Sequence, residues 1–557
     1  MTAASFAQER AWLASRFAAD TALYHVADQW PLHGDVSEAQ IRAALAAVVD
    51  RHEALRTGFR VVDGALTVVV RDRVDLDLEV VDLSGRTEEE QRDDRAALAD
   101  RLKHTAFDLS RAPLWRAGLV GLGAGRWRLL FVAHHAVCDA PSLFNLHAEI
   151  TEFCAASEQD RPPRVPRLPL SYGDYARQQR ERLGGGEIAE LAGYWRAQLA
   201  GLPAAHGLPL DRPRPVRRSF AGAELRAELP AGTASALAEA ARRYGVTSFE
   251  LLLAGYAALL HRRSGRDDVV LGVPLSGRDR PELLPLVGTF VNMVVLRVDA
   301  SGDPSYAGLV ERVRAVWRAA RDHQELPFQT VVEQLAPQRG PGLPPIYQLA
   351  FNVTAAEGFG PPSTAAEDDL LLEVSGTAAR LEYDTALFGR ETAAGLLADY
   401  AAVLTAALDD PATPLSRLPA GPGPGAGDTP APRPGHVPPR TAAEELVARA
   451  WADVLGVDEV GVDDDFFAVG GHSLQALRLL ARLSSDHRVE TTADAFFSHP
   501  TVARLAAELE RQTAGPERHS AELERQTAGP ERHSAGPERH SATRREDRTD
   551  PEGETWQ

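Results

Sequence analysis

Two adjacent histidines, His134 and His135, lie in the stretch FVAHHAVCDAPSLF, and Asp139 follows four residues after the second histidine. An imidazole can take up or deliver a proton near neutral pH, so this pattern could serve proton transfer during attack on a carbonyl carbon. The spacing alone is weak evidence, because a core histidine beside a helix start gives the same pattern. Pro141 suits the first turn of such a helix.

The surrounding sequence predicts a buried strand before the histidines and further helices and strands after them. RWRLLFVA, residues 126–133, is an apolar run typical of a strand that is buried on both faces. Thr247 and Glu250 form a capping-box pattern, and Gly265 follows a basic turn, so a helix is predicted between them. DDVVLGVPL (267–275) and FVNMVVLRV (290–298) predict strands. The mixture predicts an α/β fold with two lobes over residues 1–415.

A second candidate for chemistry is Ser473 in VDDDFFAVGGHSLQALRLL, residues 462–480. A hydrolase elbow has the pattern G-x-S-x-G, and Gln475 stands where the second glycine would be. A helix N-cap is the simpler alternative for this serine. The preceding stretch, residues 419–439, is too rich in proline and glycine to pack a core and predicts a linker. Amphipathic patterns over 441–512 predict a small helical domain.

Composition limits the class of protein. The 557 residues carry a formal net charge of -19, which argues against nucleic acid as the main partner. The two cysteines, Cys138 and Cys154, cannot form a disulfide framework, so a reducing compartment is expected. The N-terminal residues lack the pattern of a signal peptide, and no uncharged apolar stretch is long enough to span a bilayer. We therefore expect a cytoplasmic protein that acts without a membrane.

Seven segments in order resemble the condensation domain of nonribosomal peptide synthetases, over residues 1–415. They are SFAQERAWL (5–13), RHEALRTGF (51–59), AHHAVCDA (133–140), SYGDYAR (171–177), YWRAQLAGLP (194–203), VGTFVNMVVLR (287–297) and HQELPFQ (323–329). The resemblance implies two chloramphenicol-acetyltransferase-like lobes in a V, with a tunnel through which two carrier-bound substrates meet. Residues 462–480 resemble the phosphopantetheine attachment site of a peptidyl carrier protein.

The resemblance also implies roles for single residues. His135 is the catalytic histidine, and His134 supports the end of the strand. Asp139 forms a structural pair with an arginine across the lobes, for which Arg278 in PLSGRDR is the candidate. Ser473 carries 4′-phosphopantetheine, and no metal is expected. Cys138 lies at a variable position of the motif and is not expected to act as a nucleophile.

The predicted domain order is an N-terminal lobe (1–175), a C-terminal lobe (176–415), a linker (416–440), an all-α four-helix carrier domain (441–512) and a disordered tail (513–557). The tail contains AELERQTAGPERHS twice without change. Its units are too polar to bury a face, so disorder is expected there. His519, His533 and His540 could suggest a metal site in the tail, but disorder is the favoured interpretation.

The predicted reaction is amide formation between a donor acyl thioester and an aminoacyl group on Ser473. The donor is expected on an upstream carrier protein in trans. No stretch resembles an adenylation domain, so a separate adenylating enzyme is expected, together with a phosphopantetheinyl transferase. An ester-forming domain, an epimerase and a catalytically silent recruitment module remain alternatives.

One residue departs from the family motif. The motif ends in glycine after the aspartate, whereas this chain has Ala140. If the motif needs glycine because the backbone has a positive φ at this position, alanine would strain the backbone of the loop. A requirement for space would instead make the added methyl group narrow the tunnel beside His135.

Overall fold

The computed structural model describes residues 2–15, 21–32, 34, 36–62, 65–184, 187–215, 218–335, 342–354, 364–419, 436–466 and 500–511, and also 469, 471, 475–476, 478–480, 482–483 and 496. Its three sheets lie in a compact unit formed by residues 1–507. Of a second unit, 508–557, the structure describes 508–511, which are helical. The predicted tail, 513–557, lies outside the described residues.

A four-stranded sheet carries the histidines in the first lobe. Its strands, in sheet order, are β2 (His25–Leu32), β7 (Trp127–His134), β6 (Trp115–Gly121) and β5 (Leu78–Asp82). β5 is parallel to β6, and the other neighbours are antiparallel. The last six residues of β7 are buried, so the strand predicted from the apolar run is confirmed. A separate three-stranded sheet has the order β1 (Thr2–Ala3), β4 (Ala65–Val70) and β3 (Thr57–Val62).

A six-stranded sheet forms the second lobe. Its order is β10 (Asn292–Asp299), β9 (Asp268–Leu275), β11 (Leu349–Thr354), β12 (Leu370–Ser375), β13 (Ala378–Asp384) and β8 (Gly222–Glu228). β11 is parallel to β9 and β12, and the other neighbours are antiparallel. β9 and β10 confirm the two strands predicted here.

Helices cover the sheets of both lobes. They are α1 (Phe6–Ser15), α2 (Glu38–Arg51), α3 (Glu88–His104), α4 (Ala140–Glu158), α5 (Tyr172–Leu183), α6 (Glu187–Gln198), α7 (Thr233–Tyr244), α8 (Ser248–Ser264), α9 (Tyr306–Asp322), α10 (Phe328–Leu335) and α11 (Arg390–Asp409). A further helix, α12 (Ala442–Leu455), follows the two lobes. α8 begins at the predicted capping box and ends at Gly265, whose φ of 68° is one that glycine adopts without strain.

Two of the predicted domain boundaries fall inside packed structure. The boundary predicted at residue 175 lies within α5. The packing of the second lobe continues to Leu415 and Leu418, which are both buried, beyond the boundary predicted at 415. An apolar residue that closes a core cannot be recognised from its proline-rich surroundings alone.

α11 is the one helix of the described residues that is long and apolar enough to cross a membrane. It has 20 residues, and seven of them, including Leu396, Tyr400 and Leu404, are buried in the core of the second lobe. Its apolar character is therefore accounted for by packing.

The small helical domain is built around aromatic side chains. α12 is followed by helical residues within 475–483 and by a helix over 502–511. Trp451 on α12 packs edge-on against Phe466 and Phe496, with ring centroids 4.9 and 6.1 Å apart. All three side chains are fully buried, so they form the core of this domain.

Candidate active site

His134, the last residue of β7, is a buried and uncharged side chain. It pairs with His25 of β2 in the sheet register and is 2% exposed. Its Nδ1 atom accepts a hydrogen bond of 3.1 Å from the Ala136 backbone amide. Burial lowers the pKa of His134 well below its usual value, and His25 and His135 lower it further. A neutral imidazole in this position supports the end of the strand.

His135 is more accessible than its neighbour. Its backbone amide donates to the Tyr24 carbonyl oxygen at 2.7 Å, which fixes the backbone at this point. The side chain is half-buried, and Nδ1 lies 3.4 Å from the Thr289 hydroxyl oxygen of the second lobe. Nε2 has no hydrogen-bond partner in the part of the chain that the structure describes. Thr289 thus contacts Nδ1 of the His135 ring, and Nε2 is available to contact a substrate.

Asp139 is the N-cap of α4 and joins the two lobes. Its side chain is fully buried and accepts two hydrogen bonds from Arg278, at 2.6 and 2.9 Å. It also accepts from the backbone amides of Ser142 and Phe290, at 3.0 Å each. Arg278 and Phe290 belong to the second lobe, so this carboxylate holds the histidine loop against that lobe. Because both carboxylate oxygens of Asp139 accept hydrogen bonds, their arrangement is that of a structural ion pair.

Ser142 completes the same connection. Its hydroxyl donates to Asp139 at 2.6 Å and accepts from the Gly288 amide at 3.0 Å, and it lies 2.9 Å from the Gly288 carbonyl oxygen. A Cβ atom at Gly288 would lie 2.1 Å from the Tyr172 ring, so only glycine fits there. The Tyr172 hydroxyl in turn contacts the Ser5 hydroxyl and the Thr289 carbonyl oxygen.

The sequence analysis assigned no role to Ser142, Thr289 or Phe290. Ser142 was recognisable in principle, because a serine three residues after an N-cap aspartate forms a local hydrogen-bonded cap. Thr289 and Phe290 lie in the VGTF segment, but nothing local indicates that they contact residues 135 and 139.

Cys138 lies in the loop between the histidines and Asp139. It is fully buried, and burial raises the pKa of its thiol well above the usual value, with a further increase from the Asp139 charge. The thiol therefore stays protonated, and a protonated buried thiol is a poor nucleophile.

Ala140 is the first residue of α4 and is exposed. The φ angle of Ala140 is not positive, because the residues other than glycine that have a positive φ in the described part of the chain are different ones. The hypothesis of a strained backbone at this position is therefore wrong, because the first turn of a helix has negative φ. Its exposure also gives no support to the hypothesis of a methyl group that narrows a passage.

A small cleft opens near these residues. It is lined by residues of α1, α5 and α10 and of the segment between β9 and β10, including Phe6, Arg10, Gly277, Phe290 and Gln329. Phe290 is common to the cleft and to the Asp139 contacts, and the Arg278 guanidinium lies 4.1 Å from the centre of its ring. The cleft and the histidine loop therefore share a wall.

Ser473 lies outside the described residues, but residues that flank it are described. Gly471 donates to the Phe466 carbonyl oxygen at 2.8 Å, and a Cβ atom there would lie 2.4 Å from the Phe466 ring. Gln475 donates to the Val454 carbonyl oxygen of α12 at 3.0 Å. Gly471 is thus in contact with the aromatic core, and Gln475 is hydrogen-bonded to α12.

Comparison with known families decides the assignment. A family model described as "Condensation domain" matches residues 1–420, and one described as "Phosphopantetheine attachment site" matches residues 445–509. This chain belongs to the condensation-domain family of nonribosomal peptide synthetases. Its carrier domain is of the type that bears 4′-phosphopantetheine.

Curated relatives are much longer proteins. The dimodular nonribosomal peptide synthase of Bacillus subtilis is 35% identical over 443 residues, which are 74% of this chain and 18% of that protein. Phosphinothricin tripeptide synthetase PhsB of Streptomyces viridochromogenes is 35% identical over 480 residues, which are 83% of this chain and 39% of that protein. The chain therefore corresponds to a small part of each relative.

Solved structures show the same two-lobed fold. The X-domain from teicoplanin biosynthesis has a TM-score of 0.65 at 30% identity, covering 75% of this chain and 97% of that one. SgcC5 from Streptomyces globisporus has a TM-score of 0.64 at 29% identity, covering 74% of this chain and 99% of that one. The predicted fold class, two condensation-domain lobes and a small helical carrier domain, is confirmed.

Proposed function

We propose that this chain is a condensation–carrier didomain that forms an amide bond. The donor acyl group arrives as a thioester on a partner's carrier protein, and the acceptor is an aminoacyl group attached through Ser473. The observation that carries the proposal is His135, whose Nε2 meets no partner among the described residues while its loop is held by the buried Asp139–Arg278 pair. The same chain contains a carrier domain, which would bring an acceptor to the His135 site.

In this reaction the acceptor nitrogen attacks the donor carbonyl carbon, a C–N bond replaces the C–S bond, and the nitrogen loses a proton while the leaving thiolate gains one. His135 Nε2 is the group in this chain that can take or orient that proton. General base catalysis contributes about 10²–10⁴-fold, whereas good positioning corresponds to effective molarities of about 10⁵–10⁸ M. Since α-amines titrate near 8, much of the nucleophile is already unprotonated near neutral pH. Positioning by the clamped loop therefore carries more of the rate than proton removal does.

The carrier in this chain is proposed as the acceptor carrier. When attached to Ser473, 4′-phosphopantetheine supplies a long arm whose thiol holds the aminoacyl group as a thioester. Arg478, five residues after Ser473, lies 3.9 Å from Glu333 on α10. The first turn of α10 contains Gln329, which lines the cleft beside the site. These contacts support approach of the acceptor from the side of the cleft.

The partners follow from this proposal. A phosphopantetheinyl transferase would modify Ser473, a separate adenylating enzyme would supply the amino acid, and an upstream carrier would supply the donor. Both cysteines are free and buried, which is consistent with the cytoplasm as the proposed compartment.

A single-turnover assay tests the reaction. The holo-protein is loaded with an aminoacyl group and mixed with a donor carrier bearing an acyl thioester, and the intact mass of its carrier is followed. Transfer of the acyl group to the aminoacyl chain supports amide formation. Transfer that occurs only with a hydroxyacyl acceptor would replace the proposal with ester formation.

A recruitment module is the second candidate. It is favoured by the similarity to the teicoplanin X-domain, which has been solved in a complex with OxyB. A folded, loaded protein that gives no product with any acceptor, yet binds a partner enzyme, would favour this candidate.

A further inference from the structure

Thr289 connects the second lobe to the histidine loop. It lies between β9 and β10 and is 2% exposed, so its hydroxyl is shielded from water. Before it, the Gly288 amide donates to the Ser142 hydroxyl at 3.0 Å. After it, the Phe290 amide donates to the Asp139 carboxylate at 3.0 Å. The backbone of Thr289 is therefore held on both sides against the first lobe.

The Thr289 hydroxyl has one hydrogen-bond partner in the part of the chain that the structure describes. That partner is Nδ1 of His135, at 3.4 Å. A hydroxyl has a proton to donate and lone pairs that can accept, and a buried donor without an acceptor is unfavourable. Since no other acceptor among the described residues is within hydrogen-bond distance, the hydroxyl donates to Nδ1.

This direction of donation decides where the His135 ring carries its own proton. In a neutral imidazole one ring nitrogen is protonated and the other accepts. Because Nδ1 accepts from Thr289, the proton lies on Nε2, the nitrogen that is available to a substrate. The reverse arrangement, with the proton on Nδ1, would leave the buried hydroxyl proton without an acceptor.

His134 has the same arrangement with a donor that cannot act as an acceptor. Its Nδ1 accepts from the Ala136 backbone amide at 3.1 Å, and an amide N–H only donates. Burial lowers the pKa of His134 well below its usual value, so this ring is neutral and carries its proton on Nε2. His134 therefore supplies a reference for this tautomer beside His135.

We propose, building on the amide-forming function above, that Thr289 is a positioning residue that holds His135 in the tautomer protonated on Nε2. A protonated Nε2 cannot take the proton of the acceptor amine, but it can donate a hydrogen bond to the acyl oxygen of the donor. As the C–N bond forms, negative charge collects on that oxygen, and the hydrogen bond stabilises it. The C–S bond then breaks and the amine proton passes to the leaving thiolate, so His135 keeps its own proton throughout.

Nuclear magnetic resonance of the full-length protein tests the tautomer without any substrate. The ring nitrogens of histidine are labelled with ¹⁵N, and spectra are recorded at pH 8, where histidine is ordinarily neutral. The signals of the two rings are identified by their loss in His135→Ala and His134→Gln proteins. We expect the carbon-bound proton Hδ2 of His135 to correlate with a protonated Nε2, as it does in the His134 ring.

Three variants separate the hydroxyl from the packing of the side chain. Thr289→Val has the same shape without the hydroxyl, so the ¹⁵N shifts of His135 should move toward the average of the two tautomers. Thr289→Ser keeps the hydroxyl and should keep the parental shifts. Thr233→Val on α7, which removes a buried hydroxyl that donates to the Pro230 carbonyl oxygen, is the control and should leave the shifts unchanged.

Single-turnover amide formation gives a second readout. At saturating donor carrier, Thr289→Val should slow transfer by roughly three- to tenfold, the factor that one hydrogen bond between uncharged groups is worth. The donor concentration that gives half the maximal rate should stay the same, because the shape of the side chain is kept. Thr289→Ser should retain most of the parental rate.

Three results would overturn the inference. A parental His135 ring protonated on Nδ1 would show that the hydroxyl accepts, and would make His135 a base. Parental shifts in Thr289→Val would show that Thr289 does not set the tautomer. Equal slowing in Thr289→Val and Thr289→Ser would assign the effect to packing. A protein with the expected tautomer that condenses no acceptor would uphold the role of Thr289 in the tautomer while rejecting amide formation.

Discussion

At the scale of single residues, two neighbouring imidazoles have opposite environments. His134 is the last residue of β7 and is buried among aromatic rings, whereas His135 begins the loop and keeps one nitrogen accessible. The end of the strand accounts for the difference, because β7 is buried on both faces up to His134 and His135 lies beyond it.

We predict that His135→Ala reduces single-turnover amide formation by about 10²–10⁴-fold, since it removes the group that takes or orients the proton. Loading of Ser473 should be unchanged. His104→Ala, at the exposed end of α3, serves as the control and should retain full activity. Activity of His135→Ala within a few-fold of the parent would mean that positioning alone supports the reaction.

His134 should make stability depend on acidity. Its folded pKa lies below the unfolded value near 6.5, so the unfolded chain takes up a proton that the folded chain refuses. The associated stability is complete above pH 6.5 and is lost as pH falls below it, by up to about 1.4 kcal/mol per pH unit. Denaturant unfolding at pH 7.5 and 5.5 should show a smaller loss for His134→Gln than for the parent. Parallel losses in the two proteins would contradict this account.

The buried pair of Asp139 and Arg278 should contribute to folding more than to chemistry. Asp139→Ala leaves the Arg278 guanidinium, which is 3% exposed, without its main partner and should cost about 3–5 kcal/mol in unfolding free energy. Glu445→Ala, which breaks an exposed pair with Arg449, is the control and should cost at most about 1 kcal/mol. An Asp139→Ala protein with parental stability and no activity would make the aspartate catalytic.

At the scale of elements, α4 determines what the departure at Ala140 means. Ala140 stands in the first turn, with Asp139 as N-cap and Pro141 after it. Ala140→Gly should therefore lower the unfolding free energy by about 0.4–1 kcal/mol, because glycine adds entropy to the unfolded chain. Donor preference in a competition between small and bulky acyl groups should not change. A more stable variant would contradict the helical backbone at this position.

The elements were more predictable from sequence than the site was. The capping box at Thr247 and the apolar run of β7 are local patterns, and each led to an element with nearly the predicted limits. The contact between Arg278 and Asp139 joins residues 139 positions apart, and it could be named only through the family resemblance. The contacts of Thr289 and Phe290 were not foreseen, because they depend on how the lobes meet. The roles proposed for His135 and Ser473 remain predictions.

At the scale of the whole molecule, the carrier and the condensation domain should be separable in function. We predict that Ser473→Ala takes up no phosphopantetheine, as measured by intact mass after incubation with coenzyme A and a phosphopantetheinyl transferase. The variant should fold normally and, with an acceptor carried on a separate carrier protein, should still condense it. Modification of the variant at another serine would contradict the carrier assignment.

The contacts around Ser142 also have a consequence for building hybrid synthetases. Gly288, Phe290 and Arg278 of the second lobe complete the hydrogen bonds of residues 139 and 142 of the first. A crossover placed between the lobes would separate the two halves of this arrangement, so a hybrid would inherit its histidine loop from one parent and the support for it from the other. Crossovers placed after Leu418 would keep both halves in one inherited block, and such hybrids should retain the geometry on which transfer depends.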